Sequence, residues 1–318
     1  MGVVIWYKVA FRGIEALVPP FPLTISNDVY NGSYIVDADI KLAMSAGATI
    51  STFEIKMTNL PEDAATLLLD SAKGKSPFQG IATQVMAKTK AKLSSLLVEI
   101  HLGYFDDFAR FSRSSPVMVG AVRSVKNGPN GEGLLETTVQ GQEITGYRLR
   151  MNQKAYNNPG EIDALVLVEQ IARDAGVIVA PGSKLDKKLK DLTLKTGNGM
   201  MALEKLAEMG QVPLVVGDNR ISIGAVVGMN QLPVRFDREL NIVELADGMT
   251  VDNDTLEESD KSVTLTVLGD PKLRCGQNAI LVQGSEGLPE HYIITAVTHS
   301  FSTTGSGYIC NLTLEGKI

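Results

Sequence analysis

The sequence has little of what catalysis or metal binding usually requires. It contains 3 histidines and 2 cysteines in 318 residues. It also lacks a G-x-S-x-G elbow, an H-E-x-x-H motif and a dinucleotide-binding glycine fingerprint. The familiar kinds of hydrolytic and redox chemistry therefore have no support in the sequence, and we predict neither an enzyme nor a cofactor.

Long apolar runs are missing as well. No stretch reaches the roughly 20 apolar residues that a membrane span requires. The apolar N-terminal segment carries Lys8 and Arg12, so it does not fit the apolar region of a signal peptide. We expect no membrane insertion, synthesis in a reducing cytoplasm and two free thiols.

The charge balance argues against a protein that coats nucleic acid. The net charge is −6 and the pI about 5.3, whereas such proteins are normally basic. The content of hydrophobic residues (44%) and charged residues (21%) is ordinary for a soluble globular protein, and the length allows two or three domains. DNA can pass an acidic surface of this kind without adhering to it.

Four potential metal ligands, Cys275, His291, His299 and Cys310, lie in the last third of the chain. Zinc ligands usually come in tight pairs such as C-x2-C or H-x3-H, and no two of these four are spaced in that way. We predict no metal site. Cys310 is expected to be a core residue, Cys275 an unreactive thiol in a turn, and the two histidines to lie at strand edges.

Two further motifs have a simple structural interpretation. Gly-Lys-Ser at 74–76 resembles the end of a phosphate-binding loop, but Leu69 stands where that pattern needs its first glycine. We interpret it as a break in a helical segment. Asp106 and Asp107 could form a carboxylate pair, but neighbouring strand residues face opposite ways. A turn flanked by aromatic residues is the preferred interpretation, so no catalytic residue is predicted.

The first third of the chain alternates apolar and polar residues, which is typical of β-strands. The pattern is clear at 52–57 and 96–105, and a loop rich in glycine and asparagine at 126–133 predicts a hairpin. A helix over about 61–92 is expected between the first two strands, because Pro61 and the acidic residues after it favour a helix start.

The middle third changes to a helical period. Apolar residues recur at helical spacing in 158–175 and 198–209, and Gly176 and Gly210 are expected to end the two helices. A lysine-rich connection is expected over 184–195, followed by a hairpin that turns at 217–219.

The last third returns to short strands between glycine-rich turns. In the final strand Tyr308, Cys310, Leu312 and Leu314 are expected to share one face. FEIKMTNLP at 53–61 can be aligned with VTLTVLGDP at 263–271, so that the apolar positions and the final prolines coincide. This internal similarity is what two duplicated β domains would leave in the sequence.

Charge is segregated along the chain. Residues 237–260 contain 9 acidic and 1 basic residue, and residues 73–92 contain 5 lysines and no acidic residue. Such runs are usually solvated faces. They are also what complementary surfaces of a symmetric assembly, or an acidic channel lining, would show, and the sequence leaves these alternatives open.

The C-terminal sequence resembles a known family. It reads LGDPKLRCGQNAILV and then GLPEHYIITAVTHSFSTTGSGYICNLTLEG. This is similar to the phage baseplate hub proteins, which include the T-even hub, the late control protein D and the base of the type VI secretion spike. The residues that match are Gly269, Asp270, Pro271, Leu273, Gly276, Tyr292, Val297, His299 and Ser300.

The resemblance implies an α+β architecture with two tail-tube-like domains, each an antiparallel β-barrel or curved sheet. On this basis we predict an N-terminal tube-like domain at 1–155 with the inserted helix at about 61–92. A small α+β insertion domain is predicted at 156–230, and a C-terminal tube-like domain at 231–318. The motif residues are expected to have structural roles.

The resemblance also implies a function. Such hubs are homotrimeric virion proteins of the tail baseplate that join a hexameric tail tube to a trimeric central spike and surround the channel for DNA. Because the chain ends soon after the last hairpin, the spike is expected to be a separate protein. Tape-measure and baseplate wedge proteins are further expected partners, with assembly in the bacterial host cytoplasm. The alternatives are a cell-wall hydrolase and a β-rich receptor- or carbohydrate-binding tail module.

Overall fold

The computed structural model describes residues 4–13, 23–28, 32–47, 49–72, 96–105, 115–194, 197–224, 232–251, 258–282 and 290–316. The chain forms two compact units. Unit 1 consists of Met1–Lys41, Thr52–Gln142 and Ser300–Tyr308, and unit 2 of Leu42–Ser51, Glu143–His299 and Ile309–Ile318. The described residues form 19 strands and four helices, which confirms the predicted α+β class.

Unit 1 is built on a run of strands in the order β5-β8-β7-β6-β1-β2-β3. Its elements are β1 (Ile5–Gly13), β2 (Thr24–Ser26), β3 (Tyr34–Ile35), the first part of β4 (Asp37–Ser45), β5 (Thr52–Thr58), α1 (Glu62–Ala72), β6 (Leu96–Tyr104), β7 (Met118–Pro129) and β8 (Leu135–Glu143). The predicted strands and the hairpin of this region are therefore confirmed. The described part of the predicted helix, α1, begins just after Pro61, and the remainder of it lies outside the described residues.

The core of unit 1 follows the predicted alternation. Phe53, Ile55 and Met57 of β5 are at most 3% exposed, while the residues between them are partly exposed. Glu62 and Asp63 occupy the first turn of α1, where the carboxylates stabilise the positive end of the helix dipole. The same helix packs against β7 and so covers part of one face of the sheet.

Unit 2 contains the other three described helices and two small sheets. Its elements are the second part of β4, α2 (Ile144–Met151), β9 (Tyr156–Asp163), α3 (Ala164–Ala175), β10 (Ile178–Val179), β11 (Lys188–Leu194), α4 (Gly199–Gly210), β12 (Leu214–Gly217), β13 (Arg220–Ile223), β14 (Val234–Asp237), β15 (Ile242–Val251), β16 (Glu258–Leu268), β17 (Asn278–Val282), most of β18 (Glu290–Ser302) and most of β19 (Gly307–Gly316). None of the helices among the described residues is long and apolar enough to cross a membrane.

One hydrophobic core joins the helices of unit 2 to strands β9–β13. It includes Leu167, Val168, Ile171, Leu203, Leu206, Leu214 and Ile221, all at most 5% exposed. Gly176 ends α3 in the left-handed conformation, as predicted. α4 likewise ends at Gly210, as predicted, although the residue that adopts the left-handed conformation there is Gln211, with φ 53°.

Two predictions for the middle of the chain were wrong. The lysine-rich connection contains strand β11, which pairs with β9. Residues 158–163 belong to β9 and not to the helix that follows it. The physical reason is alternation within the lysine-rich segment: Leu189 and Leu194 are buried while Lys188 and Lys190 are exposed. Gly160, with φ 92°, also interrupts any continuous helix at this point.

The C-terminal strands of unit 2 lie in the order β15-β16-β19-β18, with β17 beside β18 and β14 beside β17. Tyr308, Cys310, Leu312 and Leu314 are all at most 3% exposed, which confirms that they share the inner face. Val263, Leu265 and Val267 of β16 are buried in the same alternating manner as the aligned residues of β5. A duplication of β domains stays a prediction.

Candidate functional site

The predicted motif residues lie in the loop that follows β16 and in the strand β18. We call residues 269–277 the anchor loop. Its Gly276 N–H donates to Ile294 O at 2.7 Å, and the Ile294 N–H donates to Gln277 O at 3.0 Å. These two bonds attach the end of the loop to β18, the strand that carries Tyr292, Val297 and His299. Backbone hydrogen bonds therefore join the loop and the strand that carry the motif residues, although 30 residues separate Gly269 from His299.

Asp270 and Pro271 turn the chain where β16 ends. The Asp270 carboxylate accepts from the Lys272 N–H at 2.9 Å, and its carbonyl accepts from the Leu273 N–H at 3.2 Å. This is the behaviour of an aspartate at the first position of a β-turn, with proline at the second. Gly276 completes the loop with φ 82°, a value that suits glycine.

Arg274 holds the anchor loop from within. Its Nη1 donates to Pro271 O and to Leu273 O, both at 2.8 Å, and its Nε lies 3.2 Å from Asp218 Oδ2. The Gln277 side chain adds two more bonds across the loop. Since the Arg274 contacts involve backbone carbonyls directly, this one guanidinium group contributes to holding the loop conformation.

The Asp218 partner belongs to the β12–β13 hairpin. Asp218 and Asn219 have φ of 52° and 60°, as a two-residue hairpin turn with left-handed residues requires, and this confirms the predicted turn. The Asn219 N–H donates to Thr145 Oγ1 at 2.8 Å. The hairpin therefore links the anchor loop to the first turn of α2 by polar contacts.

Glu143 caps that turn from a buried position. Its carboxylate accepts from the N–H groups of Thr145 (2.8 Å) and Gly146 (3.0 Å) and from Thr145 Oγ1 (2.6 Å). Burial raises the pKa of Glu143, although the hydrogen bonds from Thr145 and Gly146 oppose that shift. A buried carboxylate that satisfies helix N–H groups in this way has a structural role.

His299 and Cys310 form a buried imidazole–thiol pair under the anchor loop. His299 Nε2 lies 3.3 Å from Leu273 O, and Cys310 Sγ lies 3.2 Å from His299 Nδ1. A carbonyl oxygen can only accept, so Nε2 carries the proton and Nδ1 accepts from the thiol. Both side chains are 0% exposed. The imidazole therefore connects the anchor loop, β18 and β19 at one point.

The electrostatics of this pair do not favour nucleophilic chemistry. Burial, helped by the charge of Arg274, lowers the pKa of His299 to about 3, although the bond to Leu273 opposes this shift. An imidazole with so low a pKa is a poor base for a neighbouring thiol. Burial likewise raises the pKa of Cys275 to about 12, which keeps that thiol protonated at neutral pH. The His299–Cys310 pair is therefore a neutral hydrogen-bonded contact between β18 and β19.

The predicted position of His299 at a strand edge was wrong, because it lies inside β18 and is fully buried between the anchor loop and β19. His291 is the second residue of β18 and so lies at the start of the strand, as predicted. The core position of Cys310 is confirmed. The Gly-Lys-Ser sequence at 74–76 and the pair Asp106 and Asp107 lie outside the described residues. In the described part of the chain, no group of three or more His, Cys, Asp or Glu side chains is placed to hold a metal ion.

The sequence did not indicate the contacts made by Arg274 and Asp218. These two residues are 56 positions apart, and each has an ordinary sequence context. The only available signal was the Asp-Asn turn, which predicts the shape of the hairpin but not its partner.

Replacing Arg274 by methionine should loosen the anchor loop. We expect a loss of about 1–2 kcal/mol in the free energy of unfolding, because Pro271 O and Leu273 O lose a charged donor. The measurement is urea denaturation together with amide hydrogen exchange of residues 269–277. Lys272→Met is the matched control, since Lys272 is exposed and should change stability by less than about 0.5 kcal/mol. Unchanged exchange in the anchor loop of Arg274→Met would contradict its role.

The fold has counterparts among solved structures, at low sequence identity. The tail protein from Neisseria meningitidis MC58 is 12% identical with a TM-score of 0.63, and the match covers 98% of this chain and 97% of that one. The 43 kDa tail protein of prophage MuSo2 from Shewanella oneidensis is 12% identical with a TM-score of 0.61, covering 96% of each chain. The c3393 protein of E. coli, a component of the type VI secretion system, is 10% identical with a TM-score of 0.54, covering 89% of this chain and 74% of that one.

The sequence itself matches no family model and no curated protein. The likeness in structure extends over nearly the whole length of two tail proteins, so it is not confined to one common motif. This protein therefore has the fold of phage tail proteins and of a type VI secretion component.

Proposed function

We propose that the protein is a structural subunit of a phage tail baseplate, a homotrimeric hub that joins the tail tube to a separate central spike. The observation that carries this proposal is the likeness to solved tail proteins over 98% of the chain. The anchor loop is in keeping with it, because the residues that resemble the baseplate-hub motif lie in this loop and in β18, which backbone hydrogen bonds join. In this role the protein needs no catalytic site, and we propose none.

The open sheet edges suggest how a ring could assemble. Among the described strands, β15 is the outermost strand of unit 2 and β3 the outermost strand of unit 1. An unpaired edge strand tends to pair with another chain, and a head-to-tail contact of this kind closes into a ring when its rotation is a whole fraction of a full turn, a third in the case of a trimer. In our proposal residues 1–155 and 231–318 form two tube-like domains per chain, so that three chains present six such domains to a hexameric tube.

The proposed place of the protein is the virion, after assembly in the cytoplasm of the host bacterium. Its partners would be the tail tube protein, a spike protein, and tape-measure and baseplate wedge proteins. DNA would pass through the ring without being bound specifically. The net charge of −6 suits a channel wall that repels a polyanion.

The proposal predicts a trimer in solution. We expect a particle of three times the 34.2 kDa chain mass by light scattering, and a threefold ring with a central hole wide enough for duplex DNA by electron microscopy. Co-expression with the tube and spike proteins of the same tail should stabilise the ring. A protein that stays monomeric at high micromolar concentration and binds neither partner would rule the proposal out.

A further inference from the structure

One edge of the small three-stranded sheet in unit 2 is open. The strand order is β10-β13-β12, and no described strand pairs with the outer side of β10. The Ile178 N–H donates to Asn219 O at 3.3 Å, and the Ala180 N–H donates to Ile221 O at 2.7 Å. Since successive residues of a strand direct their backbone groups to opposite sides, the N–H and C=O of Val179 point outward. One donor and one acceptor are thus available at this edge.

Positive charge from α2 and β13 and an apolar side chain of β10 itself surround this short strand. Arg148 Nη1 donates to Gly176 O at 3.2 Å and to Asn219 Oδ1 at 2.9 Å, which fixes the guanidinium and leaves its other donors for a ligand. Arg220 is the register partner of Ile178, so the two side chains share one face of the sheet. Ile178 is 58% exposed, although it is a large apolar residue.

The acidic residues next to these arginines already have partners. Asp174 Oδ1 lies 2.7 Å from Lys154 Nζ, and Asp218 Oδ2 lies 3.2 Å from Arg274 Nε. Arg173, at the end of α3, adds a further exposed positive charge. The edge is therefore locally basic in a protein whose net charge is −6.

We propose that this surface, which we call the β10 edge and define as Arg148, Ile178, Val179 and Arg220, binds an extended acidic segment of a partner protein. The backbone of that segment pairs with Val179, its carboxylates meet the two arginines, and an apolar side chain covers Ile178. Strand addition to an open edge is a general mode of peptide recognition. A nucleic acid has phosphates for the arginines but nothing to match a strand edge and an isoleucine. The proposal goes beyond the hub role and does not depend on it.

The first test compares three fluorescent probes on the intact protein by anisotropy. The probes are a ten-residue peptide of alternating glutamate and valine, the same peptide with glutamine in place of glutamate, and a single-stranded DNA of ten nucleotides. We expect the glutamate peptide to bind at least about tenfold more tightly than the other two, with affinity that falls as salt rises. Equal binding of the glutamate and glutamine peptides would overturn the proposal, and so would equal or tighter binding of the DNA.

The second test uses variants of the β10 edge. Arg148→Gln combined with Arg220→Gln should lower the affinity for the glutamate peptide at least about tenfold, because two charge-assisted contacts are lost. Val179→Pro should lower it similarly, since it removes the outward N–H and proline is tolerated on edge strands. Lys205→Gln, an exposed change on α4, is the control and should bind as the unchanged protein does. Undiminished binding by folded variants, checked by circular dichroism, would show that the peptide binds elsewhere.

Discussion

Replacing Gly141 by alanine should lower the free energy of unfolding by about 3 kcal/mol. A Cβ atom at this position of β8 would lie 2.2 Å from Ala121 O and 2.3 Å from Phe53 Cζ. Gly141 is the register partner of Phe53, whose ring is buried against it. The clash with a backbone carbonyl can only be relieved by moving a strand, and this makes the substitution costly.

Gly120 provides a comparison on the neighbouring strand β7. A Cβ atom there would lie 2.3 Å from the Phe53 ring, but 3.0 Å from the backbone oxygen Gln142 O. Its clash is therefore mainly with a side chain. We expect Phe53→Leu to recover much of the stability lost in Gly120→Ala but little of that lost in Gly141→Ala. Comparing the stability of the two double mutants, each Gly→Ala change combined with Phe53→Leu, therefore distinguishes the clash with the Phe53 ring from the clash with the backbone carbonyl.

The measurement uses the single tryptophan of the chain. Trp6 is 1% exposed and lies in β1, so its fluorescence during urea titration reports on unit 1. Gly131→Ala is the control, because nothing lies within 4 Å of a Cβ atom there. The control should change stability by less than about 0.5 kcal/mol. A Gly141→Ala protein as stable as the control would mean that the ring and the carbonyl do not approach the glycine so closely.

The elements that the sequence predicted well are those with a clear period. In β5 and β16 the alternation of apolar residues follows directly from which side chains face the core. The end of α3 was predictable because Gly176 adopts a conformation that favours glycine. The strand β11 was missed because lysines dominate its composition, and only the burial of Leu189 and Leu194 in the folded unit shows its inner face.

The candidate site was predictable as a motif but not as a set of contacts. Asp270 and Pro271 indicate a turn from local chemistry alone. The bonds from Arg274 to Asp218 and from Cys310 to His299 join residues on different elements, so they depend on how those elements pack. A single sequence does not show which distant residues will pair, and the burial of His299 was accordingly missed.

Lowering the pH should weaken the protein through His299. The pKa of this group is about 3 in the folded protein and about 6.5 when unfolding exposes it, since burial disfavours the imidazolium. Between these values the unfolded chain binds one more proton than the folded chain. The contribution of His299 to stability therefore falls by about 1.4 kcal/mol for each pH unit from about 6.5 down to about 3. Above pH 6.5 it should not change.

The test compares urea denaturation of three proteins at several pH values between 4 and 7, followed by circular dichroism. His299→Gln removes the titrating group while its amide can still donate to Leu273 O and accept from Cys310. Its stability should depend on pH less steeply than that of the unchanged protein, by up to about 1.4 kcal/mol per pH unit. His291→Gln, on the exposed side of the same strand, should keep the original slope. Carboxylates such as Glu143 titrate in all three proteins and cancel in the comparison. Identical slopes for His299→Gln and the unchanged protein would contradict a neutral, buried imidazole under the anchor loop.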